Sequence, residues 1–230
     1  MTTETTAADF RTFFERSCPS MLARALLIAG HRQDAEDAVQ QAYVEALRRW
    51  ERLGRYDSPD AWVYKIVKQR LWAAARRRTW LRPVGLEVSR PPTASPEQTA
   101  HARAVLAALA TLPRRQRQVI VLHCLHGMAQ QDIADELGIT RSAVAGSVLK
   151  ARRNLEKVLG MTSSGHPGGD PLVPAARRAS LPAGVSAADQ LATALRETEA
   201  WLRAGIEANA ETLQRIRSQV IAGAAGDGSA

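Results

Sequence analysis

Two stretches of this chain place chemically capable residues at telling intervals, and in both the chemistry is recognition of a polyanion. In residues 127–159, Val144, Val148, Ala151, Leu155 and Leu159 form one apolar stripe at helical spacing, while Arg141, Lys150, Arg152 and Arg153 lie off it. Residues 62–82 hold seven basic residues and no acid. There Lys65, Lys68, Trp72 and Arg76 fall on one helical face, opposite Val63, Ile66, Val67 and Leu71. Cations meet phosphates, and an exposed aromatic ring among them can stack on an unpaired base. The competing reading makes Trp62 and Trp72 core residues and the arginine run a helix end that complements the dipole. His123, Cys124 and His126 invite a metal, but their spacing matches no zinc pattern and no second ligand pair lies nearby, so packing is the expected role and no metal or cofactor is expected. No phosphate-binding glycine loop or nucleophile motif is present, so an enzyme is not expected.

The elements that must position these residues are helices. Ile133, Ala134 and Leu137 share one face, Gly138 suits a left-handed C-cap, Ile139 plugs the turn, and Thr140 can cap the helix that follows. This spacing predicts a helix-turn-helix, whose second helix can enter the DNA major groove. An ordinary helical hairpin with a solvated basic face is the plainer alternative. Upstream, Phe10, Phe14, Cys18, Met21 and Ala25 predict a first amphipathic helix ending near Gly30. Asp34 is placed to cap a second helix, whose buried side carries Val39, Ala42, Tyr43, Ala46, Leu47 and Trp50, with Gly54 closing it. Ser58-Pro59 starts a third, from about Asp60 to Arg78. The prolines between residues 81 and 100 predict an extended linker, with helix resuming near Pro96-Glu97 and again after Pro113.

Charge is distributed unevenly. The 230 residues hold 31 Lys+Arg and 23 Asp+Glu, a formal net charge of +8. Residues 1–160 carry 25 basic and 16 acidic residues, so the whole excess precedes residue 161 and points there to a polyanionic partner. No apolar run is long enough to span a bilayer, the N-terminus does not read as a signal peptide, and two distant cysteines give no disulfide framework. A cytoplasmic protein is expected.

DAEDAVQQAYVEALRRW (34–50), SPDAWVYKIVKQRLWAAARRR (58–78) and LATLPRRQRQVIVLHCLHGMAQQDIADELGITRSAVAGSVLKARRNL (109–155) together resemble bacterial extracytoplasmic-function (ECF) sigma factors. The resemblance covers about residues 9–160, in the family's order. It implies an all-α fold: a region-two bundle over 9–80, a linker over 81–100 and a helix-turn-helix region-four domain over 101–160. It implies an alternative sigma factor whose partners are core RNA polymerase and promoter DNA. The family's polymerase-binding motif falls on Asp37 to Gln41, with Asp37, Gln40 and Gln41 as the contacting residues. The loop over 53–60 corresponds to the one that captures a flipped base. Lys65, Lys68, Arg70, Trp72, Arg76 and Arg77 match the face that meets the minus-ten element. Arg141, Ser142, Lys150 and Arg153 are expected to read the minus-thirty-five element.

The sequence departs from the family at Gln41, where glutamate is more frequent, at Ala145-Gly146-Ser147, where Lys-Ser-Arg often stands, and at Ala129, where a Ser/Thr cap is usual. Weaker or altered minus-thirty-five readout is expected. Beyond the resemblance, residues 161–187 are rich in glycine and proline and predict a disordered linker. A C-terminal amphipathic helix is expected over 188–222, starting at a capping-box-like Ser186/Asp189, with a heptad-like seam through Leu195, Leu202, Ile206, Leu213, Ile216 and Val220 that Glu199 and Asn209 interrupt. Such a stripe needs a partner. It either folds back on its own domains or frays, or it serves as a regulatory arm that masks contacts or engages an anti-sigma factor or another protein. A stand-alone helix-turn-helix regulator and a sigma-like interaction protein are the competing functions.

Overall fold

The computed structural model describes residues 3–77, 90–160 and 186–226, and every regular element among them is a helix. They group into two units, residues 1–95 with 199–230 and residues 96–198.

In the first unit, α1 (Thr3–Ala29) ends at Gly30, which adopts φ +65° and donates its N–H to Leu26 O at 2.9 Å. α2 (Arg32–Arg48) starts one turn earlier than the sequence suggested: His31 is its N-cap residue, and Asp34 lies in the first turn rather than at the cap. A carboxylate there still suits the positive end of the dipole. The helix breaks at Arg49, so Trp50 falls in a separate short turn, α3 (Trp50–Leu53). α4 (Pro59–Arg77) opens as the Ser-Pro pair predicts, with the Ala61 N–H donated to Ser58 Oγ at 3.3 Å.

The core of this unit is aromatic. Phe10, Phe13 and Phe14 of α1 surround Tyr43 of α2, and Phe10 meets Trp50 edge-on at 5.2 Å. Tyr43 is fully buried, so its hydroxyl needs a partner. It lies 2.7 Å from Ser17 Oγ, and Ser17 spends its own proton on Phe13 O at 2.7 Å, so the tyrosine is the donor. Val63, Val67 and Leu71 of α4 close the core from the other side, whereas Ile66 is half-buried. Burial pushes the Cys18 thiol well above its ordinary pKa, so it acts as a small apolar side chain.

The second unit contains α5 (Pro96–Thr111), α6 (Arg114–Cys124), α7 (Gln130–Leu137) and α8 (Arg141–Leu159). α5 begins at Pro96, where helix was expected to resume, so the last residues of the 81–100 stretch are helical. Val105, Leu109, Val119, Ile120, Leu122, Ile133, Val144 and Leu155 are all buried here.

The expected single C-terminal helix is two: α9 (Ala187–Glu207) and α10 (Ala210–Ala225). Asn209, read as an interruption of the seam, caps α10 by accepting the Thr212 N–H at 3.1 Å. Ser186 caps α9 as its spacing predicts, its Oγ accepting the Asp189 N–H at 3.2 Å, but the Asp189 carboxylate accepts the Ser186 hydroxyl at 2.7 Å, so this is a side-chain variant of the capping box. The extended linker over 81–89 and the disordered linker over 161–185 lie outside the described residues.

Leu71 is fully buried where α4 packs on the first core. Leu71→Ala should cost about 2–5 kcal/mol. Residues 96–198 contain no tryptophan, so urea unfolding followed by tryptophan fluorescence reports the first unit; a loss below about 1 kcal/mol would contradict this packing.

Candidate nucleic-acid and partner interface

Helical periodicity divides α2 among three jobs. Ala35, Ala38, Val39, Ala42, Tyr43 and Ala46 face the core and are buried. Gln33, Asp37, Gln41 and Glu45 follow one another at intervals of four, all of them half-buried or exposed. Gln33 Nε2 donates to Asp37 Oδ1 at 2.7 Å, which holds that carboxylate along the helix surface. Gln40 lies on the neighbouring stripe Arg32–Glu36–Gln40–Val44–Arg48 and is half-buried. The three residues expected to bind polymerase therefore stand along one side of α2, with Gln40 nearest the stripe's centre.

On α4, Lys65 is exposed and Lys68 half-buried, its Nζ 5.2 Å above the Tyr64 ring. Arg70 pairs with Glu45 of α2, which also bonds Arg49 at 2.9 Å. Burial alone would raise the Glu45 pKa, but the bonds and charges of Arg70 and Arg49 outweigh it and hold the carboxyl below its ordinary 4.5. Arg76 and Arg77 occupy the last turn of α4, and their side chains lie outside the described residues.

Trp72 corrects the sequence analysis. Its spacing places it with the cations, yet it is only 8% exposed, so it is no open platform for a base. Tyr56 and Trp62 are the more accessible rings nearby. An open cleft of about 320 Å³ is lined by Glu45, Arg49, Arg52, Leu53, Tyr56, Trp62 and Ile66. Tyr56 is 42% exposed, Trp62 is half-buried, and the Arg49 guanidinium lies 5.9 Å from the Trp62 ring centroid. Two aromatic rings and two arginines round a cleft suit a planar group carrying a phosphate. Sequence reasoning pointed to the loop but missed Arg49 and Tyr56 individually. The available signal was an aromatic residue in the otherwise polar turn GRYDSPD.

In the second unit the turn of the helix-turn-helix forms as its residues dictate. Gly138 adopts φ +63°, the Ile139 N–H reaches Ala134 O at 3.0 Å, and the Gly138 N–H reaches Asp135 O at 3.4 Å, the two bonds of a Schellman motif. Thr140 caps α8 by accepting the Ala143 N–H at 3.2 Å. Val144, Val148, Ala151 and Leu155 are buried. The opposite side carries Ser142, Gly146, Lys150, Arg153 and Lys157 at intervals of three and four. Ser142, Lys150 and Arg153 therefore share the outward face, while Arg141 is exposed at its N-terminal flank. Lys157 was missed, although it stands four residues after Arg153. Ser147 does not replace a lost cation, because its hydroxyl bonds back to Ala143 O at 2.7 Å. No cluster among the described residues could hold a metal ion; His123 instead has its Nδ1 3.0 Å from Met128 O.

Residues 13–81 match the family described as Sigma-70 region 2, and residues 102–155 match Sigma-70, region 4. The chain is 30% identical over 157 residues to the ECF RNA polymerase sigma factor SigM of Mycobacterium tuberculosis, covering 68% of this chain and 80% of the relative. It is 32% identical over 147 residues to the RNA polymerase sigma factor CnrH of Cupriavidus metallidurans, covering 55% and 73% respectively. Among solved structures, RpoE of Bartonella quintana, crystallised with the anti-sigma factor NepR, aligns with a TM-score of 0.49 at 20% identity, over 66% of this chain and 98% of that one.

Two consequences are measurable. A Cβ on Gly146 would meet nothing within 4 Å, so Gly146→Ala should raise the stability of the second unit by up to about 1 kcal/mol, read by thermal unfolding in far-UV circular dichroism. A fall in stability would mean that this face of α8 is not open. The lowered Glu45 pKa makes its pairing fully present above the ordinary carboxylate value and lost as pH falls through the folded value. The acid decline in stability should therefore be shallower in Glu45→Gln, and an identical decline would contradict the pairing.

Proposed function

The chain belongs to the extracytoplasmic-function RNA polymerase sigma factors, and we propose how its surfaces divide the work. As an alternative sigma factor it binds core RNA polymerase and directs promoter recognition and transcription initiation, a non-enzymatic role. The stand-alone regulator gives way, because a match to region 2 lies upstream of the helix-turn-helix. Its working compartment is the cytoplasm, where promoter DNA is found; no helix of the described residues is long and apolar enough to cross a membrane.

Asp37, Gln40 and Gln41 on α2 are the polymerase contacts. Residues 9–80 open the minus-ten element and residues 101–160 engage the minus-thirty-five element. The cleft beside α3 receives one unstacked base: Trp62 and Tyr56 stack on it while Arg49 and Arg52 lie within reach of its phosphate. Flipping a base costs a few kcal/mol, and stacking of about 1–3 kcal/mol with phosphate contacts offsets this. Lys65, Lys68 and Arg70 guide the flanking backbone, with Arg70 exchanging Glu45 for a phosphate. Arg141, Ser142, Lys150 and Arg153 face the duplex from α8. The cleft carries this assignment, because it joins aromatic rings to cations within the region-2 match.

The test uses the full chain with core polymerase on a promoter fragment. Trp62→Ala should reduce strand opening, read by permanganate reactivity of unpaired thymines, by about 1–3 kcal/mol while polymerase binding stays unchanged. Lys150→Ala should weaken promoter binding and lower its salt slope by about 1. Normal opening by the Trp62 variant would overturn the cleft's role, and an unaltered salt slope would remove Lys150 from the DNA.

A further inference from the structure

α10 packs along α2 on the stripe that contains Gln40. At the start of the stripe, Glu36 is buried and carries two guanidinium groups: Arg32 from its own helix at 2.8 Å and Arg215 from α10 at 2.9 Å. Arg32 also donates to Thr212 Oγ1 at 3.3 Å. At its end, Arg48 donates to Gly223 O at 2.6 Å. Between these anchors α10 comes so close that a Cβ on Gly223 would stand 3.0 Å from Val44 Cγ2. Ile216 and Val220, on the inner side of α10, are fully buried, and Arg217 adds a bond to Glu15 of α1 at 3.1 Å. The arm is thus fastened above and below Gln40.

We propose that α10 covers part of the polymerase-docking surface of α2, so that the chain engages core RNA polymerase fully only when α10 lifts. This rests on the assignment of Asp37, Gln40 and Gln41 to polymerase. Packed helices lie 8–10 Å apart, so a partner element seated over Gln40 would have to occupy the space that α10 fills. Asp37 and Gln41, one stripe over, stay accessible and allow a first contact. The interface suits release. It combines buried Ile216 and Val220 with half-exposed arginine pairs, the mixed character of contacts that form and part. The binding-competent fraction sets apparent affinity: an arm docked about 90% of the time raises the apparent Kd about tenfold.

The test compares the full chain with two variants that weaken the arm without touching the docking residues. Arg215→Glu places a carboxylate against buried Glu36, and Gly223→Leu forces α10 off Val44. Both should bind core polymerase more tightly than the parent chain, by up to about tenfold for an arm docked about 90% of the time. A third variant, Val44→Cys with Gly223→Cys in a Cys124→Ser background, fastens the arm by a disulfide: its oxidised form should lose polymerase binding and reduction should restore it. Tryptophan-monitored unfolding verifies that each variant is folded. Unchanged or weaker binding by folded Arg215→Glu and Gly223→Leu, or equal binding by the oxidised and reduced lock, would overturn the proposal. Asp37→Ala and Gln41→Ala, made in the Arg215→Glu background, separate the two ideas. If they weaken binding while Arg215→Glu alone gains nothing, the docking surface stands and the cover falls. If they change nothing, the docking assignment itself falls, and the cover with it.

Discussion

The first unit depends on how one helix shares out its circumference. α2 has about 100° per residue with which to satisfy a core, a partner and an arm. The small residues Ala35, Ala38, Ala42 and Ala46 let α1 and α4 approach closely, and Tyr43 fills the gap between them, bonded to Ser17. Once that face is fixed, the others are fixed with it. Asp37 and Gln41 must turn outward, and the stripe from Arg32 to Arg48 must turn toward α10. A one-residue slip would bury Asp37 or expose Tyr43, so the core sets the bearing of the partner surface.

The second unit works by the same logic with a different partner. Burying Val144, Val148, Ala151 and Leu155 turns Ser142, Lys150, Arg153 and Lys157 outward. Cations on that face supply affinity for any duplex, while sequence discrimination needs side chains that reach base edges. Gly146 offers none, and Ser147 is tied to its own backbone. On the proposed assignment, the middle of α8 offers few side chains for reading the minus-thirty-five element. The uncapped Ala129 start of α7 adds a further economy in the same motif.

Much of this was legible in the sequence because local signals and tertiary packing agree. Gly138 and Thr140 mark the turn, Ser58-Pro59 marks the start of α4, and apolar spacing finds the inner faces of α4 and α8. The failures share a physical cause. Spacing assigns a residue to a side of a helix but does not say what covers that side, so Trp72 was grouped with the cations and turned out buried. A polar residue in a seam can interrupt a helix or cap a new one, and Asn209 does both, standing at the break between α9 and α10 and capping the second. The cleft depends on bringing Glu45 and Arg49, at the end of α2, beside Trp62 and Ile66 of α4, a juxtaposition that no local pattern encodes. The same holds for the meeting of Glu36 with Arg215, 179 residues apart.

The most direct measurement of the shared helix is amide hydrogen exchange of the full chain, alone and bound to core RNA polymerase. The account predicts that residues 33–41 gain protection on binding while residues 212–223 lose it, because polymerase takes the side of α2 that α10 gives up. Bound chain in which α10 keeps its protection and residues 33–41 stay unchanged would contradict it.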